Sequence, residues 1–293
     1  MKKNNKYIIF LFFFGFSLIA FSQNKTPFFQ KSDTLNKNRI KAVIITESVG
    51  AGLALIGLNQ LWYADYPRSN FHFYNDNDQW FQMDKMGHMF SSYYIGKMGM
   101  NALAWAGESK KNQLVYGATL GFAFLTLIEV LDGFSEEWGF SMGDVAANAI
   151  GTGILIGQEL LWEEQRFQLK YSFHQTDNPQ YWDETLGEDF LQQSLKDYNG
   201  QTYWLSINIW SFFKDSNFPK WLNFAIGYGI EGFDGTETNR YRQFYSSIDV
   251  DLTKIKTNSA FLSTVFNVFN FIKIPAPTLE YSQNKFKFHA LYF

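Results

Sequence analysis

The chain has 293 residues and a formal net charge of −3 at pH 7, with no basic patch, a balance that argues against a nucleic-acid partner. It contains no cysteine, which excludes disulfides, thiolate metal sites and a lipid-bearing cysteine within these residues. Aromatic residues make up 19%, a content that fits interfacial belts and β-rich envelope structure, or a large core.

In chain order, the first feature is an export signal. Lys2, Lys3 and Lys6 form a basic start, residues 8–20 are apolar or small, and Ala20 and Ser22 stand where a signal peptidase needs small side chains. A signal peptide over 1–22, cleaved after Ser22, is expected. Residues 23–41 are polar and basic and read as a flexible N-terminal segment.

Residues 42–164 read as a helical domain of about four apolar helices, near 42–62, 84–105, 112–131 and 141–162. Their many glycines suit close approach of helix backbones. The clean apolar runs, 49–58 and 114–128, are shorter than the roughly 20 residues of a spanning helix. Four spans after a cleaved signal would also place Lys110 and Lys111 outside and the acidic loops inside, inverting the usual charge bias. The expectation is a protein exported across the inner membrane and held in the cell envelope, at the outer membrane or its periplasmic face. Its expected partners are a lipid membrane and other envelope proteins.

Residues 165–293 alternate with period two and predict about six antiparallel strands, forming a sheet or partial barrel. Phe167, Leu169, Tyr171 and Phe173 share one face opposite Gln168, Lys170 and Ser172. Later segments repeat the pattern, and a final hairpin is read near 277–282 and 285–293. One apolar and one small or polar face suits a lipid-facing sheet with a polar lumen, or a soluble sheet packed on helices. Residues 257–271 look amphipathic. The fold class is α+β.

Three of the predicted helices carry polar residues at helical spacing. Asp84 and His88 are i,i+4 neighbours with Lys85 beside them. Glu129 and Asp132 are i,i+3, and Asp144 and Asn148 are i,i+4. A bundle would bring these faces together, and charges so buried must pair, shift their pKa or bind an ion. Three readings stay open: a metal site with His88, Asp84 and Glu129 as first candidates, general acid–base chemistry on an envelope substrate, and a network that joins the helices. Ser141 and Asp144 also have capping-box spacing. The sequence shows no glycine-rich phosphate loop or nucleophile elbow, and it assigns neither a catalytic residue nor a cofactor.

Three blocks stand in order: 84-DKMGH-88, 129-EVLD-132, and 138-WGFSMGD-144 followed by Asn148 and Gly151. On these blocks the chain resembles the YfiM-like family of uncharacterised predicted periplasmic lipoproteins. More distantly it resembles the VanZ-like membrane proteins, although the arginine usual before the last block of that family is missing. The resemblance covers about residues 80–160. It implies a compact helical envelope module with Asp84, Lys85, His88, Glu129, Asp132, Asp144 and Asn148 as its signature, and supplies no activity.

Overall fold

A computed structural model describes residues 27–293 except Asp65 and Glu237. The signal peptide read at 1–22 lies outside the described residues. The fold is α+β, with helices first and a sheet of six antiparallel strands after them.

Helix α1 (Lys37–Leu58) begins inside the segment read as a polar N-terminus. The side chain of Asn36 caps it, accepting from the backbone N–H of Asn38 and Arg39, and satisfies two otherwise orphaned donors. The Arg39 guanidinium donates to the carbonyls of Gln30 at 2.7 Å and Trp105 at 2.9 Å, which ties the start of α1 to the end of α2 (Met83–Trp105). A π-helical turn, Asn59–Tyr63, closes α1. The next long helix runs from α3 (Lys110–Asn112) through a π-helical segment, Gln113–Ala118, into α4 (Leu120–Asp132). Ser141 caps α5 (Met142–Trp162), accepting from the Asp144 N–H at 3.2 Å, as the capping-box spacing requires.

Two glycines set the packing of α4 and α5 on α2. A Cβ on Gly121 would stand 2.1 Å from the Ser92 carbonyl oxygen, and one on Gly151 would stand 2.1 Å from that of Met89. Any side chain at either position would drive the helices apart. Tyr93, Met100, Ala118, Leu155 and Leu169 form the core between these helices and the sheet.

The expected bundle of four apolar helices is corrected in two ways. The helices are more numerous, because α6 (Asp183–Leu186), α7 (Phe190–Lys196) and α8 (Ala260–Phe269) follow the first five. Moreover, α1 stands largely apart from the packed trio of α2, α4 and α5. Only Arg39 and Val43 are buried on it, while Ile44, Ile45, Val49, Leu53 and Ile56 point outward. Its apolar stripe faces away from the other helices, and nothing lies within 4 Å of a Cβ built at Gly50, Gly52 or Gly57. By length and composition alone, the stretches Lys37–Tyr63 and Lys110–Asp132 could each cross a bilayer.

The strands are β1 (Phe167–Phe173), β2 (Gln201–Ile207), β3 (Leu222–Glu231), β4 (Tyr241–Val250), β5 (Ala276–Ser282) and β6 (Lys285–Tyr292), paired in sequence order in an open sheet. The free edge of β1 meets the chain just before β5: Tyr171 donates to the Phe271 carbonyl and accepts from the Lys273 N–H, both at 2.8 Å. The register puts Lys170, Trp204, Gly227, Tyr245 and Glu280 on one rung, and Gln168, Ser206, Ala225, Ser247 and Thr278 on another. This polar or small face is the buried one. Lys170 and Asp249 are completely buried and pair at 2.7 Å, Ser206 donates to Asp249 at 2.6 Å, and Gln168 donates to Asp251 at 2.7 Å. The opposite face carries Phe224, Ile226, Phe244, Ile248, Leu279, Tyr281, Phe286 and Phe288, all exposed. Helices α2 and α5 cover the β1–β2 part of that outer face, and the start of α2 also covers Tyr228 and Ile230 at the end of β3.

Candidate functional site

Seven residues singled out in the sequence lie together where α2, α4 and α5 meet. The Lys85 ammonium is the hub. It stands 2.6 Å from Asp76, in the loop before α2, 3.0 Å from Asp84 on its own helix, and 3.0 Å from Asp144 on α5. Ser141 joins the group by donating to Asp76 at 2.7 Å, so the helix cap is also a member of the network. His88, one turn beyond Asp84, has its Nδ1 3.1 Å from the Asn148 amide oxygen. Its Nε2 faces Glu129 at 3.5 Å and Asp84 at 3.7 Å, too far for good hydrogen bonds but close enough for charge to matter. Glu129 is almost fully buried, and one of its oxygens accepts from the Ser141 N–H at 3.2 Å. Asp132, one turn on, accepts from the Tyr63 hydroxyl, which ties the end of α1 to the site. Tyr198, from the segment between α7 and β2, donates to Asp84 at 3.3 Å.

Carboxylates outnumber cations here, and the electrostatics follow. Burial, with Asp144 and Asp132 nearby, pushes the Glu129 carboxyl up to about 9. Burial and the neighbouring Asp84 push Asp144 up to about 7. Burial raises Asp132 to about 6, against the opposing hydrogen bond from Tyr63. Asp76 is also penalised by burial, but hydrogen bonds from Lys85 and Ser141 hold it below the usual carboxylate range. Lys85 is desolvated too, yet the carboxylates around it raise its pKa. One oxygen of Glu129 and the Asn148 amide nitrogen are buried without a hydrogen-bond partner. The same holds for one Asp144 oxygen, which nevertheless lies 3.0 Å from Lys85; that contact is electrostatic, with poor hydrogen-bond alignment.

The approach to α2 is strained. Trp80, Phe81 and Gln82 have φ of 45°, 45° and 66° in succession, all left-handed, and Gln82 offers no side-chain cap. Each such residue costs about 1–2 kcal/mol, so the turn must be held from outside. The β-rich region does this: Tyr228 on β3 donates to the Phe81 carbonyl at 2.6 Å, Arg242 on β4 donates to the Gln82 side chain at 3.0 Å, and Trp80 stacks on Trp182, just before α6. The β-rich region thus fixes the direction in which the DKxxH helix starts.

Asp84, His88 and Asp144 each offer one ligand atom within 4.8 Å of the others, which makes them a candidate cation site. Among the first metal candidates of the sequence, Asp84 and His88 fall in this trio, and Asp144 stands in place of Glu129. The residues that sequence spacing did not assign to the site are Asp76, Ser141, Tyr63 and Tyr198. Ser141 carried a signal, as the cap of α5. Asp76 sits in a loop full of Asn and Asp that gave no reason to choose it.

Residues 72–157 match the model of a family described as predicted periplasmic lipoprotein (DUF2279). No curated protein and no solved structure matches the chain. The matched segment runs from the loop before α2 into α5, and it contains the whole cluster except Tyr63 and Tyr198. The family is one of unknown function, and the 293 residues hold no cysteine for a lipid to occupy.

Proposed function

We propose that this is an exported cell-envelope protein seated at the outer membrane, in which the polar cluster is the ionic joint of a helical module. That module, over residues 42–164, is of the YfiM-like kind and more distantly VanZ-like, and the β-rich region over 165–293 shares its apolar exterior. The observation that carries the membrane seat is the inverted polarity of the sheet, whose charged and amide side chains are inside and whose Phe, Ile and Leu side chains are outside. Leaving one such apolar side chain in water forgoes about 1.5–3 kcal/mol relative to burying it. Contiguous apolar patches of this kind mark an interaction surface, and α1 carries a second outward apolar stripe. Lipid is a cover that suits both a sheet and a helix without a matching partner shape.

The joint follows from connectivity. Lys85, His88 and Asp132 each contact groups from other elements, so removing any one loosens a helix or loop against its neighbours. A second reading, a divalent cation held by Asp84, His88 and Asp144, is favoured by the convergence of their ligand atoms. In that state Lys85, now in contact with both aspartates, would give way to the cation. Metal analysis of the protein beside His88→Ala separates the two readings: a stoichiometric metal lost in the variant establishes the cation site.

The membrane seat is tested by flotation with lipid vesicles. The protein is expected to float, and a variant carrying Phe244→Asp, Leu279→Asp and Phe286→Asp is expected to stay at the bottom of the gradient. A wild-type protein that remains monomeric and soluble without detergent, and does not float, overturns the reading.

A further inference from the structure

Away from the cluster, a cavity of about 170 Å³ opens between α2, α5, β1 and α8. Its floor is formed by buried Lys97, Met100, Glu159 and Gln168; Lys254, 3.6 Å from the Glu164 carboxylate, lines one wall, and exposed Asn101 and Asn267 stand at its mouth. The carboxylate in the floor is already matched: Glu159 accepts from Lys110 and, at 2.8 Å, from Gln165. The Gln168 amide is likewise engaged with Asp251. Lys97 differs. Its side chain is only 7% exposed, and among the described residues no ion pair or hydrogen bond reaches its ammonium. It has only the rings of Tyr93 and Tyr94, at 5.9 and 5.6 Å.

A buried ammonium without a counter-charge is costly. Burial pushes Lys97 down to about 8; Asp251 and Glu159 favour its charge from a distance and Lys170 opposes it. Water occupies about 30 Å³ per molecule, so the space exceeds what one solvating water needs and admits a tetrahedral oxyanion. We propose that this cavity is a binding site for an oxyanion of the phosphate class, with Lys97 as the counter-charge and the amides of Asn101 and Asn267 at the mouth. The phosphate belongs either to a lipid headgroup or to a free anion. The site is separate from the ionic joint and does not rest on its assignment.

The test uses the full chain in phosphate-free detergent, titrated calorimetrically with inorganic sulfate and with inorganic phosphate. Sulfate keeps its charge from pH 6 to 10, so its pH dependence reports the protein. Binding is expected to saturate at pH 7 and to weaken by about tenfold by pH 9, because only the protonated amine attracts the anion. Lys97→Met is expected to weaken binding at least tenfold while its thermal unfolding stays cooperative. Asn101→Leu, at the exposed mouth, serves as a second variant with an expected loss of about threefold, roughly one hydrogen bond. Competition of sulfate by phosphatidylglycerol nanodiscs, but not by phosphatidylcholine nanodiscs, identifies the headgroup as the source; competition by inorganic phosphate alone identifies the free anion. No saturable binding of either probe, or equal affinity in a folded Lys97→Met protein, overturns the proposal.

Discussion

The ionic centre inside the sheet and the one at the helix junction are built on opposite principles. Inside the sheet, Lys170 and Lys273 face Asp249 and Asp251, and the remaining polar atoms are satisfied by Ser206, Asn223, Gln168 and backbone carbonyls. At the helix junction, Lys85 and His88 face Asp76, Asp84, Glu129, Asp132 and Asp144, and three buried polar atoms lack hydrogen-bond partners. In the balanced centre burial acts on a lysine, pushing Lys273 down to about 8. Excess negative charge in a dry place instead makes carboxyls hold protons at neutral pH, so the junction is the centre whose charge changes between pH 5 and about 7.5.

The sharpest way to break this contrast is to remove one partner from the balanced centre. Lys170→Met leaves Asp249 charged and fully buried, and is expected to cost about 3–5 kcal/mol. Adding Asp249→Leu should restore most of that loss, since two apolar groups replace the pair. Denaturant unfolding in detergent measures both. At the junction, Lys85→Met is expected to cost less, about 2–3 kcal/mol at pH 8, because the side chain keeps some solvent contact. The cost should shrink at pH 5, where Asp144, with its pKa near 7, has taken up a proton and no longer needs the ammonium. A pH-independent cost would remove the distinction between the two centres.

Much of this was legible in the sequence, for physical reasons. Strand alternation depends only on a period of two, so Phe167 to Phe173 and 222–230 could be placed directly, and the apolar face could be separated from the polar one. The cluster members on α2, α4 and α5 were legible because spacings of three and four put them on single helix faces. What stayed hidden was long-range. Tyr63 and Tyr198 reach Asp132 and Asp84 across 69 and 114 residues, and no local pattern announces such contacts. The left-handed turn at Trp80, Phe81 and Gln82 was hidden too, since these residue types disfavour that conformation and contacts from distant parts of the chain hold them there. The isolation of α1 was masked because a stripe of Ile, Val and Leu looks the same whether it meets a helix or lipid.

The junction's excess acid also sets a pH trend. An unfolded Glu or Asp loses its proton near pH 4, whereas folded Glu129 keeps it to about 9 and folded Asp144 to about 7. From pH 5 to about 7.5 these carboxyls bind more protons in the folded state, so stability must fall as pH rises. Thermal unfolding over that range, below the pH at which the depressed Lys97 and Lys273 ammoniums release their protons and oppose the trend, should show a progressive loss of roughly 1–3 kcal/mol, allowing for strong coupling among the carboxyls. Glu129→Gln should flatten the slope and be more stable than the wild type at pH 8. A flat wild-type profile would mean that these carboxyls ionise freely and that the junction is as well compensated as the sheet.

The smallest expected effect tests whether the sheet and the junction are coupled. Tyr228→Phe removes one hydroxyl on β3, which donates to the Phe81 carbonyl and accepts from Arg242 at 3.1 Å, and should cost about 1 kcal/mol for the lost bonds. The left-handed turn relies on that bond to aim α2, and α2 carries Asp84, Lys85 and His88. If the sheet positions the ionic joint, Tyr228→Phe and Lys85→Met should be non-additive, with a coupling energy of at least about 0.5 kcal/mol in a double-mutant cycle. Additive losses would mean that α2 keeps its direction without the sheet. The strained turn would then be held by Trp80 packed on Trp182 and Phe233, with the hydroxyl contributing only its own hydrogen bond.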